Sequence, residues 1–191
     1  MDLGSRVLEG ELVRLEPLTL AHEGAFFEAA REWNLTRETV KAGIQSALLE
    51  QERGSTLPFA TVDKRSARVV GGTRFLHISA QHRHLEIGST WIAEPWRRSG
   101  INTKAKFLML EHAFERLGCT RVEFRSDALN EISRAAILRL GATQEGILRN
   151  LFVQTDGQIH DGIVYSIVES EWPSVRARLQ ELLARSYDTK A

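Results

Sequence analysis

The sequence predicts a mixed α/β (α+β) fold in a single domain of residues 1–191. Strand-like segments with alternating apolar residues follow one another between residues 57 and 92, which is typical of an antiparallel meander. A strongly apolar helix over residues 102–117 then separates this meander from another strand at residues 121–126. A connection of that length permits parallel pairing, so the predicted sheet contains both strand orientations.

The first half of the chain reads as one strand, two helices and a hairpin. Residues 7–18 alternate like a half-buried opening strand, and helical spacing of apolar residues predicts helices over residues 20–33 and 36–53. Residues 57–62 and 68–78 are rich in β-branched and aromatic residues. They flank a polar turn-like tetrad, which predicts a hairpin.

The second half alternates strands with helices. Residues 85–92 form a third meander strand, which ends before Pro95 because proline cannot continue a central strand. A short helix over residues 131–140 is followed by Gly141, a typical residue just after a helix end. The remaining predicted elements are a closing hairpin, residues 148–154 and 159–168, and an amphipathic helix that starts near Trp172.

Residues 96–104 predict an anion site at the start of the apolar helix. Ser99 and Gly100 allow a tight turn, and Asn102 or Thr103 is expected to cap the helix. The unpaired N–H groups of the first turn and the positive end of the helix dipole favour a phosphate or pyrophosphate. Four nearby cations add to this attraction: Arg97, Arg98, Lys104 and Lys106.

Composition limits the class of partner. The 25 basic and 25 acidic residues balance, so the overall charge gives no general attraction to nucleic acid or to an anionic membrane. The lone Cys119 cannot form an internal disulfide, and no apolar run approaches the roughly 20 residues that cross a bilayer. Without a secretory signal pattern at its start, the chain is expected in a reducing cytoplasm.

Several motifs in order resemble the GCN5-related N-acetyltransferases (GNAT), and most closely the branch of ribosomal-protein N-terminal acetyltransferases. The similarity spans nearly the whole chain. Its motifs are Glu86-Ile87-Gly88, the loop from Arg97 to Lys104, Asn130 with Ser133, Leu140-Gly141-Ala142, Glu145-Gly146-Ile147-Leu148-Arg149, and Asp161 with Tyr165-Ser166.

The resemblance implies a mostly antiparallel, V-shaped sheet flanked by helices, with acetyl-CoA between two splayed parallel strands, residues 85–92 and 121–126. It implies a metal-free acyltransferase in which an amine attacks the acetyl thioester directly. The pyrophosphate loop of the family maps onto Arg97, Arg98, Ser99, Gly100, Ile101, Asn102 and Thr103. Asn102 stands where relatives carry a second glycine, and asparagine adopts left-handed conformations more readily than most residues.

The resemblance also implies further contacts to acetyl-CoA. The backbone of Trp91, Ile92 and Ala93 is expected beside the pantetheine arm, and Asn130 and Ser133 match the family's Asn-x-x-Ser near that arm.

Catalytic candidates are fewer than in most of the family. Many branches place a tyrosine seven residues after the asparagine to protonate the thiolate, but this chain has Ile137 there. Ser133, Tyr165 or water are the remaining candidate donors. Glu86 is a candidate base for the incoming ammonium, directly or through water. Its alternative role is that of a solvent-facing or salt-bridged strand residue.

Other features leave alternatives open. The acceptor is either a protein N-terminus or a small amine, and a non-catalytic acyl-CoA-binding or sensory module is the competing function. A homodimer through the closing hairpin or the terminal helix is expected from the family alone. Three sets of residues have two interpretations each: Phe26, Phe27 and Trp33 as acceptor walls or core, His160 and Asp161 as acceptor contacts or turn, and His82 and His84 as metal ligands or a polar hairpin end.

Overall fold

The computed structural model describes residue 4 and residues 6–188. Its strands form an eight-stranded sheet in the order β1-β2-β3-β4-β5-β6-β8-β7, in which all neighbours are antiparallel except β5 and β6. The strands are β1 (Leu8–Glu9), β2 (Val13–Pro17), β3 (Leu57–Asp63), β4 (Arg68–Ser79), β5 (His84–Ile92), β6 (Arg121–Asp127), β7 (Thr143–Val153) and β8 (Ile159–Val168). The α-helices are α1 (Glu23–Ala29), α2 (Arg37–Glu52), α3 (Ile101–Glu111), α4 (Glu131–Leu140) and α5 (Trp172–Asp188).

The helices cover the sheet on both faces. A large apolar cluster lies between the sheet and α3 and α5, with Met109, Leu110 and Leu179 fully buried. A smaller cluster joins α1 and α2 to the opposite face through residues such as Phe26 and Ile44. The sheet is therefore the middle layer of the fold, and each face presents a different set of side chains.

The parallel pair β5–β6 is short. Only His84, Leu85 and Glu86 pair with β6, opposite Arg121, Val122 and Glu123. Beyond these pairs β5 stays bonded to β4 and β6 stays bonded to β8. The two strands therefore diverge, and the predicted V-shaped sheet is confirmed.

A β-bulge lies in β5 where the strands have diverged. Gly88 pairs with Arg74 and Trp91 pairs with Gly72, so that Ser89 and Thr90 together face Thr73. Ser89 takes a left-handed φ of 47°. Such a bulge shifts the alternation of side chains by one residue. As a result Thr90 faces α3, whereas Ser89 and Trp91 face α1 and α2.

Several elements begin or end at other residues than the sequence predicts. The opening strand is a hairpin of β1 and β2, because the chain turns at Gly10, whose N–H donates to the Val13 carbonyl (2.9 Å). The first helix is regular only over α1, with a short 3₁₀ turn on each side. The helix predicted to reach residue 117 changes at residue 112 into a π-helical turn, and β7 begins at Thr143 rather than at residue 148.

The helix over residues 36–53, the hairpin of β3 and β4, and the helix before Gly141 are confirmed within about two residues. Thr36 caps α2 by accepting a hydrogen bond from the Thr39 N–H (3.1 Å), and Gly141 takes a φ of 99°. None of the helices in the described ranges is long and apolar enough to cross a membrane.

Asp63, at the end of β3, fixes the loop that precedes α3. Its carboxylate accepts hydrogen bonds from the Ser66 hydroxyl (2.6 Å), the Ser66 and Arg65 N–H groups (3.2 and 3.3 Å) and the Trp96 indole (3.3 Å). Burial opposes the charged form, but these hydrogen bonds outweigh it and hold the pKa of Asp63 below its ordinary value.

Asp63→Asn should therefore destabilise the fold by about 1–3 kcal/mol, because an amide cannot accept all of these bonds. A group with a depressed pKa stabilises the folded state above its unfolded pKa, here about 3.9. The difference between wild type and variant should shrink as the pH falls below this value through the folded pKa. Urea denaturation at pH 7 and pH 3 measures it.

Asp156→Asn is the matched control, since Asp156 accepts one bond from the Gln158 N–H (3.0 Å) in an exposed turn. Its cost should stay within about 0.5 kcal/mol. Equal losses from the two variants would show that Asp63 is not an anchor.

Candidate functional site

A cleft of about 880 Å³ opens where β5 and β6 diverge. One wall is β5 from Ile87 to Ile92, and the other is the end of β6 together with α4. The start of α3 closes one end of the cleft through Arg97 and Asn102. The short parallel pairing thus places the predicted anion loop at the mouth of a cavity between two strands.

The loop reaches α3 through two left-handed residues, Arg98 (φ 59°) and Gly100 (φ 85°). Gly100 is the N-cap, and the first helical bond runs from the Lys104 N–H to the Gly100 carbonyl (2.9 Å). The amides of Ile101, Asn102 and Thr103 therefore have no acceptor inside the helix. The sequence predicts that these amides bind an anion, and this stays a prediction.

The expectation that Asn102 or Thr103 caps the helix is wrong. Asn102 also does not adopt the left-handed conformation that asparagine permits. Both residues lie inside α3, because the turn is completed earlier, at Gly100. Asn102 instead lines the cleft, and its buried Oδ1 has no hydrogen-bond partner in the described structure. An unsatisfied buried acceptor suits a ligand that brings an N–H or O–H donor.

The four cations predicted near the anion site do not lie together in the structure. Arg97 and Arg98 are exposed on the loop, and Arg97 pairs with Glu32 while its Nε donates to the Ile92 carbonyl (3.0 Å). Lys104 lies over the Phe107 ring, with Nζ 5.2 Å from the ring centroid. Lys106 is buried and lines the cleft one turn after Asn102. The four cations therefore lie in different environments.

The backbone of residues 91–93, which the resemblance places beside the pantetheine arm, faces two directions. The Ala93 N–H is bonded to the Val70 carbonyl (2.8 Å), which directs the backbone of Ala93 toward β4. Because backbone groups alternate along a strand, those of Ile92 face the cleft. Trp91 is among the residues that line the cleft.

Asn130 and Ser133 both line the cleft from the start of α4. The Asn130 Oδ1 accepts the Ser133 N–H (3.0 Å), so Asn130 is the N-cap of that helix. Tyr165 is fully buried on β8, where its hydroxyl accepts a hydrogen bond from Arg134 Nε (3.3 Å). Tyr165 is not among the residues that line the cleft, and its role as donor stays a prediction.

A second cavity, of about 520 Å³, lies on the opposite face of the sheet beneath α1 and α2. Its walls include Phe26 and Trp33, each of which packs edge-on against Trp91 with ring centroids 5.1 and 5.3 Å apart. Trp33, Ser89 and Trp91 line both cavities. The two cavities therefore meet at the β5 bulge.

Glu86 lies near this junction and is the last residue of β5 that pairs with β6. Its buried carboxylate contacts Arg125 Nε (3.1 Å) and His77 Nδ1 (3.0 Å) through Oε2. Its Oε1 lies 3.0 Å from the point where a Cβ on Gly88 would stand. Glu86 is thus an ion-paired strand residue with one oxygen directed along the strand toward the bulge.

Two groups in the cleft make contacts that the sequence does not predict. His160 Nδ1 lies 2.6 Å from Asp127 Oδ2, which also accepts from Gln154 Nε2 (2.7 Å), and the hydrogen bond from His160 lowers the pKa of Asp127. Gln154 and His160 are 27 and 33 residues from Asp127 in the sequence, so no local pattern reveals the cluster. The other group is Lys106, which the sequence predicts only as one of the four cations near the anion site.

The histidines proposed as a metal pair are stacked on each other, with His82 and His84 ring centroids 6.1 Å apart. Within residues 6–188 no three metal-binding side chains converge.

Comparisons with known proteins place the chain among acetyltransferases. The model of the acetyltransferase (GNAT) domain matches residues 13–143. The uncharacterised N-acetyltransferase YoaA of Bacillus subtilis is 29% identical over 176 residues, which cover 85% of this chain and 97% of that protein.

Solved structures of acetyltransferases superpose on most of the chain. A GCN5-related N-acetyltransferase from Brucella melitensis superposes with a TM-score of 0.86 at 30% identity, covering 94% of this chain and 86% of that one. RimL, a ribosomal L7/L12 α-N-protein acetyltransferase solved with coenzyme A, shares the fold at 18% identity with a TM-score of 0.74, covering 85% of this chain and 98% of its own.

Gly100→Glu should weaken coenzyme A binding at least about tenfold, because it adds a negative charge at the positive end of α3 and strains a left-handed residue. Isothermal titration calorimetry with coenzyme A measures the change. Gly118→Glu is the matched control, since Gly118 is also left-handed (φ 67°) with open space around its Cβ position. Equal affinities for the two variants would contradict the assignment of the loop.

Proposed function

The chain belongs to the acetyltransferase (GNAT) family, and we propose that it is an N-acetyltransferase that transfers the acetyl group of acetyl-CoA to a primary amine. The transfer would occur by direct attack within a ternary complex. The observation that carries this proposal is the meeting of two cavities at the β5 bulge. Two substrates that enter from opposite faces of the sheet would come together at Ser89 and Trp91.

Acetyl-CoA would lie in the cleft between β5 and β6. The amides of residues 101–103, with Arg97, Arg98 and Ser99, would hold its pyrophosphate at the start of α3. The cleft-facing backbone of Ile92 and the side chains of Asn102, Asn130 and Ser133 would hold the pantetheine arm. Acetyl-CoA supplies the thioester whose carbonyl carbon the amine attacks.

The acceptor would lie in the second cavity, between the sheet and α1 and α2. Phe26 and Trp33 then serve as acceptor walls, one of the two roles that the sequence leaves open. The amine must be neutral to attack, so it has to lose a proton to a nearby base or to water. Glu86 is the proposed base, acting directly or through water, because its carboxylate lies beside Gly88 at the junction.

The thiolate that departs needs a proton. Ser133 lines the cleft and is better placed than the buried Tyr165 to supply one, and water is the third candidate. The acceptor is a protein N-terminus or a small-molecule amine. A cytoplasmic location and a homodimer complete the proposal.

The proposed function is tested by following thiol release from acetyl-CoA with a panel of N-terminal peptides and small amines. Release that depends on the acceptor, with an acetylated product seen by mass spectrometry, is the expected result. Tight coenzyme A binding without thiol release for any acceptor would instead support a non-catalytic acyl-CoA-binding module.

Glu86→Gln should lower kcat/KM for the acceptor about 10²-fold, since it removes the proposed base while keeping the shape of the side chain. Coenzyme A affinity should change less than about twofold, because Glu86 is not placed on that ligand. Steady-state kinetics from pH 6 to pH 9 measures the effect.

Glu123→Gln is the control for the ionic cluster, since Glu123 also pairs with Arg125 (3.4 Å) but is not beside Gly88. If Glu86→Gln retains kcat/KM within about twofold of wild type across the pH range, Glu86 is a structural residue.

A further inference from the structure

Lys106 is a buried lysine that the proposed chemistry does not use. It lies in the second turn of α3 with 5% of its surface exposed, and it lines the cleft between β5 and β6. Its Nζ donates to two hydroxyls, those of Thr73 (2.9 Å) and Thr90. Removing an ammonium from water costs free energy unless the group is hydrogen-bonded and its charge is paired.

The β5 bulge is what brings Thr90 to Lys106. Regular alternation after Ile87 would direct Ser89 toward α3, but the extra residue at the bulge places Thr90 there instead. Thr73 is buried, whereas Thr90 is exposed to the cleft, and their hydroxyls lie 2.9 Å apart. The Thr90 hydroxyl thus links a buried amine to the open cavity.

No carboxylate neutralises Lys106 in the described part of the chain. The groups that accept its hydrogen bonds are hydroxyls from β4 and β5. Asn102, one turn earlier on α3, also lines the cleft, and its buried Oδ1 has no hydrogen-bond partner among the described residues. The charged and titratable groups that line the same cleft are Arg97 on the loop, Arg125 and Asp127 on β6, and His160 on β8. Burial lowers the pKa of Lys106 to about 7, so the amine can both hold and release a proton near neutral pH.

We propose that Lys106 is the proton reservoir for the thiolate that leaves in the acetyl transfer, and that Thr90 delivers the proton. The inference rests on the proposed function. It supplies a proton source in a chain that carries Ile137 where many relatives place tyrosine.

The atoms balance in one turnover. The amine nitrogen forms a bond to the thioester carbonyl carbon, and the carbon–sulfur bond breaks with its electron pair going to sulfur. Sulfur takes the proton of the Thr90 hydroxyl, and Thr90 takes one from the Lys106 ammonium. The nitrogen loses its surplus proton to Glu86 or water, and Lys106 regains a proton from solvent when the cleft empties.

Lys106→Met is the decisive variant because it keeps the length of the side chain and removes the amine. Replacing a buried charge by an apolar residue of similar volume is often neutral or stabilising, and Thr73 and Thr90 can still bond each other. The variant should therefore fold with an unchanged or higher Tm. Lys41→Met, at an exposed lysine of α2, is the matched control.

The first readout is proton uptake on coenzyme A binding, from calorimetry at pH 7 in buffers of different ionisation enthalpy. The anionic ligand should favour the charged lysine, so wild type and Lys41→Met should take up as much as about half a proton more than Lys106→Met. Equal uptake in all three proteins would overturn the proposal. This readout does not require turnover.

The second readout is kcat against pH, with an acceptor that is already neutral at pH 7. Since the protonated lysine is the active form, kcat of wild type should fall as the pH rises through the pKa of Lys106. Lys106→Met should lose this limb and about 10²-fold in kcat, with coenzyme A affinity within about threefold of wild type. Thr90→Val should behave like Lys106→Met, and Thr90→Ser should recover activity.

If Lys106→Met keeps the wild-type kcat, or if its kcat still falls with rising pH as in wild type, the proton comes from another group. If wild type turns over no acceptor, the proposed function fails and proton uptake still tests whether Lys106 titrates in the cleft.

Discussion

The short parallel pairing of β5 with β6 determines where the candidate site forms. Three residue pairs hold two parallel strands together, and beyond them each strand keeps only its antiparallel neighbour. Unpaired backbone groups in a protein interior are costly, so such an opening is stable only where water or a ligand can reach it. The cleft, the loop at its mouth and the start of α4 are all positioned by this divergence.

The bulge in β5 turns one cleft into a junction. Without it, alternate side chains would keep to fixed faces of the sheet along the whole strand. With it, Thr90 reaches α3 while Ser89 and Trp91 face the cavity beneath α1 and α2. A single irregular residue thereby connects the cleft between β5 and β6, a buried lysine and an aromatic-walled pocket.

Much of the fold could be predicted because local signals were strong. The polar tetrad between β3 and β4, the Thr36 cap and Gly141 each specify a turn or helix end through their own chemistry. The Gly10 turn and the π-helical turn at residue 112 have weaker signals, since they depend on how α3 packs against the sheet. Asn102 and Thr103 are good capping residues and predict a later cap for α3, but the left-handed Gly100 completes the turn first. The contacts of Glu86, Asp127 and Lys106 join distant strands and helices, so no spacing in the sequence reveals them.

A crystal structure of the protein with coenzyme A would show directly whether the divergence of β5 and β6 forms the acetyl-CoA site and whether the bulge is where the two substrates meet. We expect the pyrophosphate at the amides of residues 101–103 and the thiol end between β5 and β6, close to Ser89 and Thr90. Coenzyme A bound outside this cleft, or with its thiol directed away from the bulge, would rule this site out.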